Sequence, residues 1–402
     1  MLKSLRRNYI EKYSFADRSI SQAIVSVYFL LVMLNVYRVV EPEFSLTLYQ
    51  MSKILAALEI LFVIRASWSI VRLANYKQVI FTMICFLVIA VNLLMFPATE
   101  VYFKNNVESF LLRPFLVTLL LMANFNKECL VDSFSFGTKI SSLAVLLLNL
   151  FYLTRINPDN YELSYFMGLS NALIFPTVFL LFDILKKKRR GIFIVNLALI
   201  ISNLLFILLK GSRGALLTIA IGFVILFLKM EGNSIITWIG GILIVLFFFL
   251  WKPILLVISK ISAYYGIESR TISQLLQNAT YGSSRNIIQQ NLLKIFSENP
   301  FVIRGINADY IVNGIYAHNF FLEALYDLGL ILGVALIAVV VWCAVVLIKR
   351  KCAEDYEYLI LMFLLSSFPL LMLSSSFWVE TSFWPWVIIT ALGMHKKAEN
   401  EC

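Results

Sequence analysis

The sequence predicts an all-α, polytopic integral membrane protein of about twelve transmembrane helices with one long external loop, and three observations predict it. The chain of 402 residues is 60% hydrophobic and 14% charged, with a mean hydropathy of +0.84, whereas soluble domains hold about 45 to 50% apolar residues. Apolar runs of about 20 residues recur along it, each long enough to cross a hydrocarbon core of about 30 Å as a helix. Basic residues gather in alternate connections, the pattern that short cytoplasmic loops produce.

Taken in order, the expected spans lie near Ile20 to Val39, Leu46 to Ile64, Val79 to Phe96, Val107 to Phe125, Ile140 to Leu153 and Leu163 to Leu185. They continue with Ile192 to Leu209, Ala215 to Leu228, Ile235 to Ile254, Phe320 to Ile348, Tyr358 to Ser374 and Val379 to Met394. One side collects Lys3, Arg6, Arg7, Lys12 and Arg18, then Arg65, Arg72 and Lys77, then Lys127 and Lys139, the run Lys186 to Arg190, Lys229, Lys349 to Lys351, and Lys396 with Lys397. The opposite side holds Arg38, Lys104, Arg155, Lys210 and Arg213. Both termini are therefore expected to be cytoplasmic, which requires an even number of spans. The first apolar run reads as a retained span rather than a cleaved signal.

The net charge of +10 is then mostly an orientation signal. Nucleic acid is excluded as a partner because no water-facing module carries those charges, and membrane lipids are expected instead. Cys85 and Cys343 fall in spans and Cys129, Cys352 and Cys402 on the cytoplasmic side, leaving none for an external disulfide. With two separated histidines, His318 and His395, and no Cys or His cluster, neither a metal nor another cofactor is expected.

The chain reads as a single integral domain over 1–402, interrupted by one external loop over 255–317. Loops longer than about 15 residues are usually functional or disordered, and this one carries helical pattern. Ser284 is placed to cap a helix through Arg285 to Ser297, with Ile288, Leu292, Ile295 and Phe296 on one face and Asn299-Pro300 as the stop. Such an amphipathic helix either lies on the bilayer surface or covers the bundle.

Lys210-Gly211-Ser212-Arg213-Gly214 forms a tight link between the seventh and eighth spans. The eighth span directs free N–H groups and the positive pole of its dipole there, so Arg213 and Lys210 sit where a cation is locally disfavoured. A bound diphosphate turns that repulsion into attraction; contact with lipid headgroups is the plainer alternative. Arg285, after Gly282-Ser283-Ser284, repeats the arrangement, and a guanidinium grips phosphate oxygens bidentately. Its plainer alternative is an ion pair with Glu268 or Glu298.

The segment from Ala317 to Gly333 opens a strongly apolar helix with polar groups, which are costly inside a bilayer and point to function. Asn319, Glu323 and Asp327 recur every four residues and share one face. His318 stands at the helix mouth, where an imidazole with an ordinary pKa near 6.5 can accept a proton. Arg113, beside Pro114 in the fourth span, either lines a substrate path or serves structure. Phe377, Trp378, Phe383, Trp384 and Trp386 read as an interfacial aromatic belt, with sugar stacking as the alternative.

Three segments together resemble the superfamily of O-antigen ligases and oligosaccharide repeat-unit polymerases. Lys210 to Leu217 is similar to its SRG segment opening a span. Ser284-Arg285 followed by Phe296 to Pro300 and Arg304-Gly305 resembles its long-loop pattern. His318 to Glu323, running into Asp327-Leu328-Gly329-Leu330, resembles its HNxxLE-type ending. Gln289 and Gln290 stand where members often carry an aromatic, and Gly305-Ile306-Asn307 replaces the usual GxG. The match covers roughly Phe193 to Val340.

The resemblance implies a fold like the GT-C-type glycosyltransferases and transfer of glycan from a polyprenyl-diphosphate-linked oligosaccharide to a sugar hydroxyl on a growing glycan acceptor. It places the protein in the bacterial cytoplasmic (inner) membrane with the active site on the external face. In that scheme Arg213 and Arg285, with Lys210, hold the diphosphate, while His318 takes the proton of the attacking hydroxyl, oriented by Glu323. Asn319, Asp327, Arg113 and Arg304 are supporting candidates. Transfer inverts the anomeric centre and demands no metal. Flippase and chain-length regulator proteins are the implied partners. The leading expectation is a repeat-unit polymerase; a ligase using the same donor and a polysaccharide transporter without covalent chemistry are the alternatives.

Overall fold

A computed structural model describes residues 12–40, 47–73, 75–99, 113–151, 163–186, 190–230, 253, 255–261, 263–264, 269–276 and 284–394. Among them all regular structure is helical. The order is α1 (Phe15–Val40), α2 (Leu48–Leu73), α3 (Tyr76–Met95), α4 (Leu116–Leu121), α5 (Lys127–Phe151), α6 (Leu163–Ala172), α7 (Ile174–Lys186) and α8 (Arg190–Lys210). There follow α9 (Arg213–Lys229), α10 (Arg270–Leu276), α11 (Ser284–Glu298), α12 (Ala308–Asn313), α13 (Phe320–Lys349), α14 (Asp355–Leu371) and α15 (Phe383–Ala391).

Seven of the predicted spans coincide with helices long and apolar enough to cross a membrane: Phe15–Val40, Gln50–Leu73, Tyr76–Met95, Lys127–Leu150, Phe166–Lys186, Gly191–Lys210 and Phe320–Lys349. The protein is thus a helical chain built for several membrane crossings. The fourth, eighth, eleventh and twelfth predicted spans overlap the shorter helices α4, α9, α14 and α15. The ninth, near 235–254, falls almost wholly outside the described residues, as do His395, Lys396 and Lys397.

Helix α5 corrects the sequence reading. It starts at Lys127 rather than near Ile140, because Ser133, Ser135, Thr138 and Lys139 lower the hydropathy of its first half yet turn inward. Lys139 is accordingly not a loop residue. Its Nζ lies 2.8 Å from Asp183 Oδ2, which also accepts from Ser135 Oγ at 2.8 Å.

The chain divides into two compact units, one of residues 1–20, 65–129 and 280–402, the other of 21–64 and 130–279. In the second unit α7 packs against α8 and α9, and α8 against α10. Polar rungs join its helices: Asn203 Nδ2 donates to Ser142 Oγ at 2.9 Å and to Thr177 Oγ1 at 3.1 Å, and Asn149 Nδ2 donates to Ser202 Oγ at 2.9 Å. Such bonds hold helices together where lipid removes the hydrophobic driving force. Beside them Tyr28, Phe134, Phe175 and Phe179 form a continuous aromatic cluster.

In the first unit α13 packs against α11, α12, α14 and α15. Its start is fixed by Asn319, whose side chain accepts from the N–H groups of Phe321 and Leu322 at 3.0 and 3.2 Å. The apolar face predicted for α11 covers this bundle rather than standing free: Ile288, Leu292, Ile295 and Phe296 pack on Ala308, Ala317, Leu322 and Tyr326.

The sequence gives no hint that α13 is broken. Gly329 has φ 71 and ψ 171, and the chain end of α11 fills the gap, with Leu330 N donating to Pro300 O at 2.7 Å. A Cβ at Gly329 would stand 3.0 Å from the carbonyl oxygens of both Phe301 and Val302. Left-handed backbone and crowding by main-chain atoms act together, so Gly329→Ala is expected to cost about 1–3 kcal/mol. A lowered midpoint of thermal unfolding, with no loss for Gly191→Ala where an added Cβ meets nothing within 4 Å, is the check.

Candidate functional site

The residues singled out by sequence fall in both units. In the second, the turn between α8 and α9 is held from two sides. Thr271 Oγ1 donates to Gly211 O at 2.7 Å and Ser269 Oγ to Leu208 O at 2.9 Å, while Ser212 caps α9 by accepting from Ala215 N at 3.2 Å. A Cβ on Gly211 would collide with Ser170 Oγ and the backbone of Ile207, which explains the glycine. Arg213 is exposed in the first turn of α9, and Lys210 is buried.

In the first unit Arg285 is the second residue of α11 and half-buried. Four residues on, and on the same side of the helix, Gln289 Nε2 donates to Ala317 O at 3.2 Å. That bond ties α11 to the residue before His318. Arg285 is near enough for its charge to act on the imidazole: burial first, and then this guanidinium, push the His318 pKa down to about 4. His318 is therefore a neutral base at physiological pH. It occupies left-handed backbone, φ 52, and its buried Nδ1 has no hydrogen-bond partner. Strained backbone of this kind concentrates at functional positions.

No hydrogen bond joins Glu323 to His318. Instead Glu323 Oε1 accepts a short hydrogen bond from Ser376 Oγ, on the segment between α14 and α15. Glu323, Asp309 and Asp327 are all wholly buried, and each offers an oxygen within 4.8 Å of those of the other two. Asp327 is the fully bonded member. It accepts from Asn307 N at 3.0 Å, Asp309 N at 3.1 Å and Trp378 Nε1 at 2.8 Å. Asp309 Oδ2 accepts from Ala317 N at 2.7 Å, and burial pushes the Asp309 carboxyl up to about 6. Asp309 Oδ1, Glu323 Oε2 and Asn307 Nδ2 have no partner.

Three carboxylates this close cannot all be charged in a dry interior without a proton or a cation between them. Among the described residues this is the group whose spacing suits a metal ion. The N–H donors aimed at Asp327 occupy its oxygens, whereas Asp309 and Glu323 each keep an oxygen free for a proton or a cation. The cluster closes the segment 305–317 onto α13, and that segment delivers His318.

The supporting candidates separate. Asn319 is the helix cap already described. Arg304 is a clamp: its guanidinium donates to the carbonyls of Val302, Tyr326, Ile295 and Asn299 at 2.9–3.3 Å and lies over the Tyr326 ring, 4.7 Å from its centroid. Arg113 is half-buried, in the wide helical turn that leads into α4.

Of the aromatic belt, all but the half-buried Trp384 form a core instead. Phe377, Phe383 and Trp386 are fully buried and Trp378 nearly so, and Phe320, Phe377 and Phe383 pack ring to ring. This core holds the start of α13 and carries Trp378 to Asp327. Sequence reasoning missed Asn307, Asp309, Ser376 and Trp378 as members of the site. The paired Asn307 and Asp309 just ahead of the rim histidine were the one local signal.

No family model, curated protein or solved structure matches this chain.

Proposed function

We propose that the protein polymerises lipid-linked oligosaccharide repeat units of an O-antigen, capsule or exopolysaccharide. It would do so in the bacterial cytoplasmic membrane, crossed about twelve times with both termini cytoplasmic. The reading is carried by His318, half-buried in left-handed backbone at the mouth of α13 with its Nδ1 unpartnered, and near enough to Arg285 for that charge to lower its pKa. A hydroxyl of the acceptor sugar attacks the anomeric carbon as the bond from that carbon to the diphosphate oxygen breaks. The electron pair leaves with the polyprenyl diphosphate, and the hydroxyl proton passes to His318. Arg285 stabilises the charge that grows on the leaving diphosphate. Arg213, exposed at the first turn of α9, and the buried Lys210 are the phosphate-binding candidates of the second unit. Attack opposite the leaving group inverts the centre.

Glu323, Asp309 and Asp327 belong to this reading as the framework that fixes His318, not as proton carriers to it.

Purified protein incubated with lipid-linked repeat units is expected to give a ladder of products on a gel. Arg285→Ala and Arg213→Ala are each expected to slow it about 10²–10³-fold, the usual cost of removing a donor that stabilises a developing anion. Single transfer that appears only after an acceptor lipid is added would make the protein a ligase. No transfer by the parent chain under either condition sinks the reading.

A further inference from the structure

Helix α13 is longer than a membrane crossing needs. Its 30 residues extend about 45 Å at about 1.5 Å per residue, against a hydrocarbon core of about 30 Å. The break at Gly329 divides it unequally. The first part, Phe320–Leu328, carries Glu323 and Asp327 in the buried cluster. From Leu330 to Lys349 there is no charged side chain before the last residue, and those roughly 20 residues alone cover about 30 Å. Hydrocarbon therefore begins at about Gly329, and the carboxylates stand above it.

The turn that fills the break lies at that level. Pro300 O is bonded to Leu330 N at 2.7 Å, and the carbonyls of Phe301 and Val302 crowd Gly329. Yet the side chains point outward: Phe301 is 67% exposed, Val302 48% and Ile303 41%. On the adjoining turn of α13 Ile331, Leu332 and Val334 are exposed as well. The next residue, Arg304, is turned back onto backbone carbonyls, so the turn presents no charge. An uncharged apolar surface at this depth suits acyl chains.

We infer that the turn 300–303 is a lipid anchor. Phe301, Val302 and Ile303 insert among the acyl chains of the leaflet at the N-terminal end of α13, continuous with the apolar face of Ile331, Leu332 and Val334. Burial of these side chains stabilises the inserted state. The anchor pins the segment leading to His318 at the bilayer surface, the depth at which the headgroup of a lipid-linked substrate lies. The inference stands whether or not the protein transfers glycan.

The test uses the full chain in lipid vesicles. Phe301→Cys and, separately, Val302→Cys are labelled with an environment-sensitive maleimide. The parent chain gives the background from its own cysteines, and Gln290→Cys, on the exposed side of α11, is the aqueous reference. At 301 and 302 the expected result is blue-shifted emission and loss of most of it to lipids carrying a nitroxide near the top of the acyl chain. Iodide in the buffer should quench only the label at 290. Quenching of 301 and 302 by iodide overturns the inference, and so does protection from both quenchers, which would mean that protein covers the turn.

Discussion

Replacing Asp327 with alanine is expected to destabilise the first unit by at least about 3 kcal/mol, because it strands three buried hydrogen-bond donors. The carboxylate takes three N–H groups, from Asn307, Asp309 and Trp378. Alanine leaves all three in a site from which water is excluded, and each buried donor without an acceptor costs about 1–3 kcal/mol. Two of the donors belong to the segment 305–317, so its attachment to α13 fails first. A large drop in thermal midpoint, with new protease cleavage between Asn299 and His318, is the expected outcome. Asp327→Asn keeps one accepting oxygen and turns an NH2 group toward the remaining donors, so its loss is intermediate. Trp378→Phe removes a single donor and leaves the other two bonded, and its loss is smaller again. An Asp327→Ala protein as stable and as protease-resistant as the parent would show that the cluster does not hold the segment.

The residues of this cluster mark how far the sequence could be read. Glu323 and Asp327 were placed on one face by their spacing alone, since a helix repeats that geometry wherever it occurs. Helix α11 was equally legible, because Ser284, the apolar spacing through Phe296 and the stop at Asn299-Pro300 are local signals. Asp309, Ser376 and Trp378 were not, because they meet Asp327 and Glu323 only through tertiary packing of separate segments, which leaves no periodicity behind. The aromatic cluster was misassigned for a related reason. Phe377, Phe383 and Trp386 have the same composition whether they face lipid or Phe320, and only packing distinguishes the two. The break at Gly329 was hidden because glycine is tolerated inside many apolar helices, and nothing near it announces that Pro300 will supply the missing acceptor. The pole at which Arg213 and Arg285 sit was readable from helix electrostatics. What the guanidinium of Arg285 acts on was not, since His318 lies 33 residues away along the chain.

The effect of Arg285 on His318 leads to the second large prediction, which concerns pH. If His318 is the base, replacing it with alanine is expected to slow transfer about 10²–10⁴-fold. The parent protein should be active on a flat plateau through neutral pH, because an imidazole with a pKa near 4 is already unprotonated there. Activity should fall only as the pH drops through about 4, where His318 gains its proton. The same shift acts on folding. The unfolded chain binds that proton near its ordinary value of about 6.5, so between the two values the unfolded state holds more protons. Stability from this group is therefore complete above about 6.5 and is lost as the pH falls toward about 4. Because part of the depression comes from Arg285, Arg285→Gln should move the acid limb of the residual activity upward, toward the ordinary histidine value. Loss of binding alone would lower the plateau and leave the limb in place. An acid limb near 6.5 in the parent chain, or one that Arg285→Gln does not move, would remove the guanidinium from the electrostatics of the imidazole, and an undiminished rate in His318→Ala would remove His318 from the role of base.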